Sequence, residues 1–430
     1  MIRISSSIYT TRQMFALLRS SRTIPQQVFE RSSAIVREVA TSGDAALARF
    51  SLQFDGVAPD QFRVPEIQFE EAERRIEDDL CDALRAAASN IEKFHRAQLP
   101  ESVEVRTSNG VLCRREWRPI DSVGLYVPGG SAPLVSTVLM LGIPARIAGC
   151  REIVLCTPAR REKMVPAEIL VAARMVGITS VYQAGGAQAI AAMAVGTESV
   201  PPVRKIFGPG NHYVAAAKSI VSQPPYGVAI DMLAGPSELV ILADESADPA
   251  WVAADLLSQA EHGIDSPVVV VSTSHELIAE VEAEVSAQMQ SLSRCSILEE
   301  SMKKSHAVLV SDLSQAIELI NEYAPEHLIL SVKEPEHLIP DIRNAGSVFV
   351  GSLTSVVFGD YASGTNHTLP TSGAAASMGG LTVESFMKPI SFQAIDREGV
   401  SHLASVVKVL ARAEGLDAHV NAIRVREGSV

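Results

Sequence analysis

The chain has 430 residues, 47% of them apolar and 20% charged, which excludes a disordered or low-complexity protein and leaves room for two or three domains. A formal charge of −13 argues against a nucleic-acid backbone or an anionic membrane as partner. No run reaches the ~20 apolar residues of a membrane span. The first ten residues lack the continuous apolar core of a secretory signal, and the cysteines (Cys81, Cys113, Cys150, Cys156, Cys295) are odd in number without Cys-x-x-Cys spacing. A soluble, cytoplasmic protein with reduced thiols is expected.

Residues 1 to about 100 read as helical. Gln26 to Phe50 repeats apolar and charged residues at helical spacing, with a turn and helix start at Ser42-Gly43-Asp44, and Phe69 to Phe94 is a second amphipathic run. Nothing there looks chemical, and His95 reads as a surface or interface residue. Val111 to Pro119 alternates like a hairpin strand. Then a βα rhythm sets in. Strands are expected at Ser122 to Val127, Glu152 to Thr157, Ser180 to Gln183 and Lys205 to Phe207, with helices at Ala132 to Ala148, Ala167 to Val176, Gln188 to Val195 and from about Tyr213. Such alternation is the signature of a parallel sheet with helices on its faces. A second α/β block begins near Val228. Its strands are expected at Leu239 to Asp244, Ser266 to Ser272, Ala307 to Val310, Leu328 to Ser331 and Ser347 to Gly351. Its helices are Trp251 to His262, His275 to Leu292 and Asp312 to Glu322. The tail from Leu381 reads as helical, and Val400 to Ala413 carries an apolar face of Leu403, Val406, Val407 and Leu410 that needs something to lie on.

Three strand-to-helix turns carry paired or near-paired glycines: Gly129-Gly130, Gly185-Gly186 and Gly208-Pro209-Gly210. Their amides, with a helix dipole behind them, suit the phosphates of a dinucleotide. None matches G-x-G-x-x-G, and tight packing alone would also call for glycine. On the Trp251 to His262 helix, Gln259 and His262 lie one turn apart on the face that also carries Asp255, which places two donors close together on a rigid element; Gly263 falls where a C-terminal cap usually sits. A histidine there is equally served by the helix dipole. Pro-Glu-His-Leu-Ile occurs twice, at 325–329 and 335–339, and adjacency of Glu and His offers a proton-transfer pair without saying which copy is used. For His337 a solvated helix start after Pro335 suffices. Spacing alone cannot assemble Gln259, His262, Asp360 and His419 into one site.

Taken together, Gly124-Leu-Tyr-Val-Pro-Gly-Gly130, Gly208-Pro-Gly-Asn211, Asp231-Met-Leu-Ala-Gly-Pro-Ser-Glu238, Leu256 to Ser266, Glu322-Tyr-Ala-Pro-Glu-His-Leu328, Gly359-Asp-Tyr-Ala-Ser-Gly-Thr-Asn-His367 and Glu414 to His419 resemble, in order, the histidinol dehydrogenases. The resemblance runs from about residue 25 to 426. It implies two related α/β domains with incomplete Rossmann-like parallel sheets, with N- and C-terminal helical arms that cross in an intertwined homodimer. The domains would divide as 1–110 (helical, partly an arm), 111–236 (NAD side), 237–380 (metal and substrate side) and 381–430 (arm reaching the partner). The family oxidises L-histidinol to L-histidine through the aldehyde, reducing two NAD, with one zinc per subunit.

Carried over by position, the zinc ligands match Gln259, His262, Asp360 and His419, and the proton-transfer pair matches Glu326 and His327. Substrate contacts match Ser237, His367 and Glu414 beside Gln259, His262, His327, Asp360 and His419, and NAD contacts match Tyr126, Gln188 and Asn211. Glu414 and His419 are implied to come from the partner subunit. Leu233 and His212 stand where Pro and a small or aliphatic residue are commoner. A non-catalytic NAD-binding or regulatory paralogue is disfavoured because every matched site residue is present, and three other readings compete. A same-fold dehydrogenase of another polar alcohol, such as a sulfonated or phosphonated diol, sits badly with Glu414. A zinc hydrolase using Glu326 as base lacks H-E-x-x-H or any compact ligand motif. A thiohemiacetal mechanism on Cys113 or Cys150 finds no cysteine in any matched motif.

Overall fold

Strands apolar at every position need cover on both faces, which only a parallel sheet sandwiched between helices provides. A computed structural model of the chain describes residues 1–19, 24–129, 133–159, 164–233 and 235–428, and it contains two such sheets. The first has five strands in the spatial order Ser180–Gln183, Glu152–Thr157, Ser122–Tyr126, Lys205–Phe207 and Ala229–Ile230, all parallel. The second has six: Ile2–Ser5, His306–Leu309, Val268–Ser272, Leu239–Ala243, His327–Ser331 and Ser347–Val350, again all parallel. In each, the chain steps outward in one direction and then returns to the other side of its starting strand. That reversal falls between Ser122–Tyr126 and Lys205–Phe207 in the first sheet, and between Leu239–Ala243 and His327–Ser331 in the second.

Helices close both faces. Ile35, Val36 and Val39 of the long Gln26–Phe54 helix pack with Val154 and Ile206 on one side of the first sheet, while Val138 and Leu141 meet Leu125 and Phe207 on the other. In the second sheet Leu256 and Val281 cover Ile241 and Val270, and Met14 and Ile320 cover Val240 and Leu242.

Four expectations need correction. Ile2–Ser5 is a strand at the edge of the second sheet, paired with His306–Leu309, and not part of a helical start. The tail from Leu381 is not helical throughout: Met387–Ile395 is a strand, antiparallel to Val111–Pro119, which pairs in turn with Val103–Ser108. Pro389 forbids a helix interior there, and Ile390 and Phe392 alternating with Ser391 and Gln393 is strand periodicity. Two helices, Arg397–Ala413 and Asp417–Glu427, follow, joined by a Lys408–Glu427 ion pair at 2.7 Å. Their outer face leaves Val406, Val409 and Leu410 exposed, Val409 to 62%. His95 is fully buried, not superficial. Gly263 is not a left-handed cap, because the Pro249–Ala260 helix closes on Glu261 in right-handed geometry. Gly43, by contrast, does break its helix: at φ +52 it kinks Gln26–Phe54, and the Asp44 amide donates to Glu198 at 2.7 Å. Gly130 and Ala234, named in the sequence motifs, lie outside the described residues.

Candidate active site

One cavity of about 1220 Å³ opens between the two sheets. On the first-sheet side it is walled by the carboxyl ends of strands and the turns after them: Tyr126 at the end of one strand, Gly186 and Gln188 after another, Pro209 to Asn211 after a third. Two helices begin there, Gly186–Val195 and His212–Val221, so their amide ends point towards the space. The Tyr126 hydroxyl accepts from the Gly186 amide at 2.9 Å. Burial raises its pKa, so it stays a neutral phenol. Gln188 is buried with both side-chain amide atoms lacking a partner among the described residues, the condition of a group waiting for a ligand. Asn211 spends its Oδ1 as the cap of the helix it starts, accepting from Tyr213 at 3.0 Å and Val214 at 3.2 Å. Its Nδ2 remains available.

The opposite wall is built differently. Ser237, Glu326 and His327 stand where strands of the second sheet begin, and His262 lies just past the C-terminus of the Pro249–Ala260 helix. The His327 Nδ1 sits 3.2 Å from the Glu238 carbonyl; a carbonyl only accepts, so Nδ1 carries a proton in either charge state and Nε2 is the atom that titrates. That Nε2 has no hydrogen-bond partner among the described residues and lies 3.6 Å from Asp360 Oδ1. Burial alone would disfavour the imidazolium, but the Glu326 and Asp360 carboxylates outweigh it and push the His327 pKa up to about 10. Glu326 Oε2 is itself held by the Glu238 amide at 2.8 Å. Asp360 stays well below the usual carboxylate range although burial opposes it, since His327, His367 and His262 all lie close enough to stabilise its charge. His367 donates from Nδ1 to the Asp360 carbonyl at 2.8 Å and meets the Thr137 hydroxyl at 3.2 Å through Nε2.

Whether a metal fits here can be tested on the donors. Gln259 is 1% exposed, and both its Oε1 and Nε2 lack partners among the described residues, a costly state for an amide unless something else takes its oxygen. His262 points its Nδ1 at the Gln259 carbonyl, 3.2 Å away, which leaves Nε2 free in the manner of a metal-binding imidazole. With Asp360 these three make a mixed N/O donor set suited to zinc. Among the described residues no three His, Cys, Asp or Glu side chains stand together as a complete metal group. A four-coordinate metal held by Gln259, His262 and Asp360 would need one further ligand. Glu414, in the turn between the two C-terminal helices, and His419, on the second of them, are both exposed and do not line their own chain's cavity.

Several supporting residues escaped the sequence reading. Asp255, noticed only as a possible donor, instead hydrogen-bonds the Ser355 hydroxyl and so anchors the start of the short Val356–Tyr361 helix that carries Asp360. His95 donates from Nδ1 to Ile91 at 2.8 Å and faces the Asn366 amide at 3.2 Å, steadying the loop that bears His367. Neither had a signal beyond residue type. His337 is exposed and sits 3.4 Å from Glu334. None of the five cysteines lines the cavity; Cys150 is held near the Phe386 carbonyl, and burial pushes its thiol up to about 12. That removes the footing of a thiohemiacetal mechanism.

A fold of two doubly wound sheets, with glycine turns at one wall and a His–Glu–Asp wall opposite, is that of an NAD-dependent oxidoreductase. The family model for histidinol dehydrogenase matches residues 18–427. A histidinol dehydrogenase of Xanthomonas axonopodis pv. citri is 50% identical over 416 residues, covering 97% of this chain and 96% of its own length. The crystal structure of histidinol dehydrogenase from Elizabethkingia anophelis superposes with a TM-score of 0.94 at 41% identity, covering 100% of this chain and 98% of that one. A putative aldehyde dehydrogenase from Burkholderia cenocepacia, at 14% identity and a TM-score of 0.51, shares the fold alone. The chain belongs to the histidinol dehydrogenase family.

Proposed function

We propose that this chain oxidises L-histidinol to L-histidine in two NAD-dependent steps through L-histidinal, as a zinc enzyme whose site is completed by a second copy. The single observation that carries the metal reading is the buried, unpartnered Gln259 amide one helical turn from His262, which lies close enough to act on the Asp360 charge. Gln259, His262 and Asp360 would hold zinc with His419 of the partner subunit. Bound there, zinc would offset the Asp360 charge and orient the substrate's nitrogens, and NAD would accept one hydride at each oxidation.

The protein's own groups then divide the proton work. With the Asp360 carboxylate offset, one of the two charges that hold His327 as imidazolium is removed, and the neutral ring's unpartnered Nε2 would take the alcohol proton as hydride leaves the carbon. Glu326, fixed by the Glu238 amide, takes a proton from the water that adds to the aldehyde. Ser237 and His367 contact the substrate, and Glu414 of the partner subunit balances its ammonium. Tyr126, Gln188 and Asn211 hold NAD against the glycine turns. The need for one further ligand and the exposed Val406, Val409 and Leu410 on the C-terminal arm that carries Glu414 and His419 support an intertwined homodimer. In this reading 111–236 and 237–380 are the two α/β domains, and 381–430 is the arm. The partner is a small cationic substrate, and the enzyme works in the cytoplasm with its thiols reduced.

The test is NADH formation with L-histidinol on zinc-loaded and chelator-stripped protein. The expected result is two NADH per histidinol, lost on stripping and restored by zinc. No NADH from histidinol, with the protein folded and metal-loaded, would turn the reading towards another polar alcohol.

A further inference from the structure

The Gly208–Asn211 turn reaches the cavity in a conformation that glycine alone adopts freely: Gly208 has φ +120, and a side chain there would collide with the Tyr126 carbonyl. What holds it lies behind it, away from the cavity. Lys218, on the helix that the turn begins, donates from Nζ to the Gly208 carbonyl at 2.9 Å. The same Nζ forms an ion pair with Asp231 Oδ1. Asp231 completes the bracket, its Oδ2 accepting from the Gly208 amide at 2.8 Å and its Oδ1 from the Met232 amide at 2.6 Å. Both the amide and the carbonyl of Gly208 thus end on one ion pair whose two side chains are each 1% exposed. Such a pair adds little net stability over an apolar replacement, so its effect is felt mainly in geometry. Neither residue has a part in the chemistry described above.

We propose that Lys218 and Asp231 are positioning residues for NAD. By turning the Gly208 carbonyl inward onto Nζ, the pair keeps a partial negative charge out of the cavity. The Gly210 and Asn211 amides, which have no acceptor among the described residues, are left for the cofactor's phosphates. Asp231 also begins the segment that delivers Ser237 to the opposite wall, so the pair sets the span between the cofactor turn and the substrate loop. The inference rests on reading that turn as the NAD site.

The experiment uses zinc-loaded dimeric enzyme, with NAD affinity measured by calorimetry and KM determined for each substrate. K218M strands a buried carboxylate and can fail to fold, so K218M/D231N, which removes both charges, is measured beside it. The expected result is a rise of about tenfold in Kd and KM for NAD in the double variant, the size of one lost hydrogen bond. KM for histidinol should move far less, and hydrogen exchange at Gly208, whose amide the Asp231 carboxylate holds, should quicken. A folded double variant with unchanged NAD affinity overturns the proposal, as does a parallel rise in both KM values with a lowered melting temperature. Asn211→Ala separates the premises: unchanged NAD binding in N211A sinks the cofactor-turn reading, whereas weakened N211A beside an unaffected double variant sinks only the Lys218–Asp231 role.

Discussion

The two parallel sheets share one architecture but meet the cavity with opposite ends. The first sheet presents the carboxyl ends of its strands, where Tyr126, Gly186 to Gln188 and Gly208 to Asn211 stand and where two helices begin. The second presents amino ends, where Ser237, Glu326 and His327 stand and where the Pro249–Ala260 and Leu313–Tyr323 helices finish. Amide ends of helices favour anions and carbonyl ends favour cations, by roughly 0.3–1 kcal/mol for each charge at the surface. A cavity built this way offers one wall to a pyrophosphate and the other to a metal ion and an ammonium group. The rule that ligands sit at carboxyl ends describes only half of this molecule.

The contrast can be broken at either wall, and the largest effects belong to the second sheet. His327→Asn should lower kcat by about 10²–10⁴-fold, the span of a lost general base, while calorimetric NAD affinity stays near that of the wild type. If NAD binding collapsed in step, the two walls would not be separate devices. Glu326→Gln should slow oxidation of supplied L-histidinal more than oxidation of the alcohol, and equal losses would undo the division between the two groups. Ser355→Ala frees the Asp255 anchor beneath Asp360 and should weaken zinc roughly tenfold, as outer-shell changes do. Metal content after dialysis reads this directly, and full retention would make the anchor irrelevant. On the first wall, Gln188→Ala should raise KM for NAD about three- to tenfold with little change in kcat. A fall in kcat instead would put Gln188 in the chemistry.

The smallest effect concerns pH. Burial holds the His95 pKa below its usual value, and its Nε2 faces the Asn366 amide, which donates; protonation would set donor against donor. The fold favours the neutral ring, so its contribution to stability is complete above the unfolded pKa of about 6.5 and fades as pH falls towards the lowered folded value. Asp55, pushed up to about 6 by burial, works in the opposite sense and gains as pH falls. The loss of melting temperature between neutral and mildly acidic pH should therefore be steeper in the wild type than in His95→Gln, and identical slopes would remove His95 from the account.

Much of the fold was legible. Strands such as Leu239–Ala243 and Val268–Ser272 announce themselves because full burial demands unbroken apolar runs, and glycine turns mark where they hand over to helices. Ile2–Ser5 escaped because a four-residue edge strand is too short for a periodic signal and is fixed by its distant partner, His306–Leu309. Met387–Ile395 carried the right alternation and was obscured by the helical pattern beside it. At the site, order and residue type in the matched motifs singled out Gln259, Glu326, His327 and Asp360. They said nothing of Asp255 under Asp360, His95 under His367 or Lys218 behind Gly208, since an aspartate, a histidine and a lysine look alike in sequence whether solvated or buried.

By itself the sequence determined the local elements, the glycine positions and the identity of the chemical groups, because these depend on periodicity and side-chain chemistry within a few residues. Only the tertiary structure decided which ends of the strands face the cavity, which nitrogen of each imidazole is free, and which charges are buried together. Those are set by contacts across hundreds of residues, as between Asp255 and Ser355 or His95 and Asn366, that no local pattern encodes.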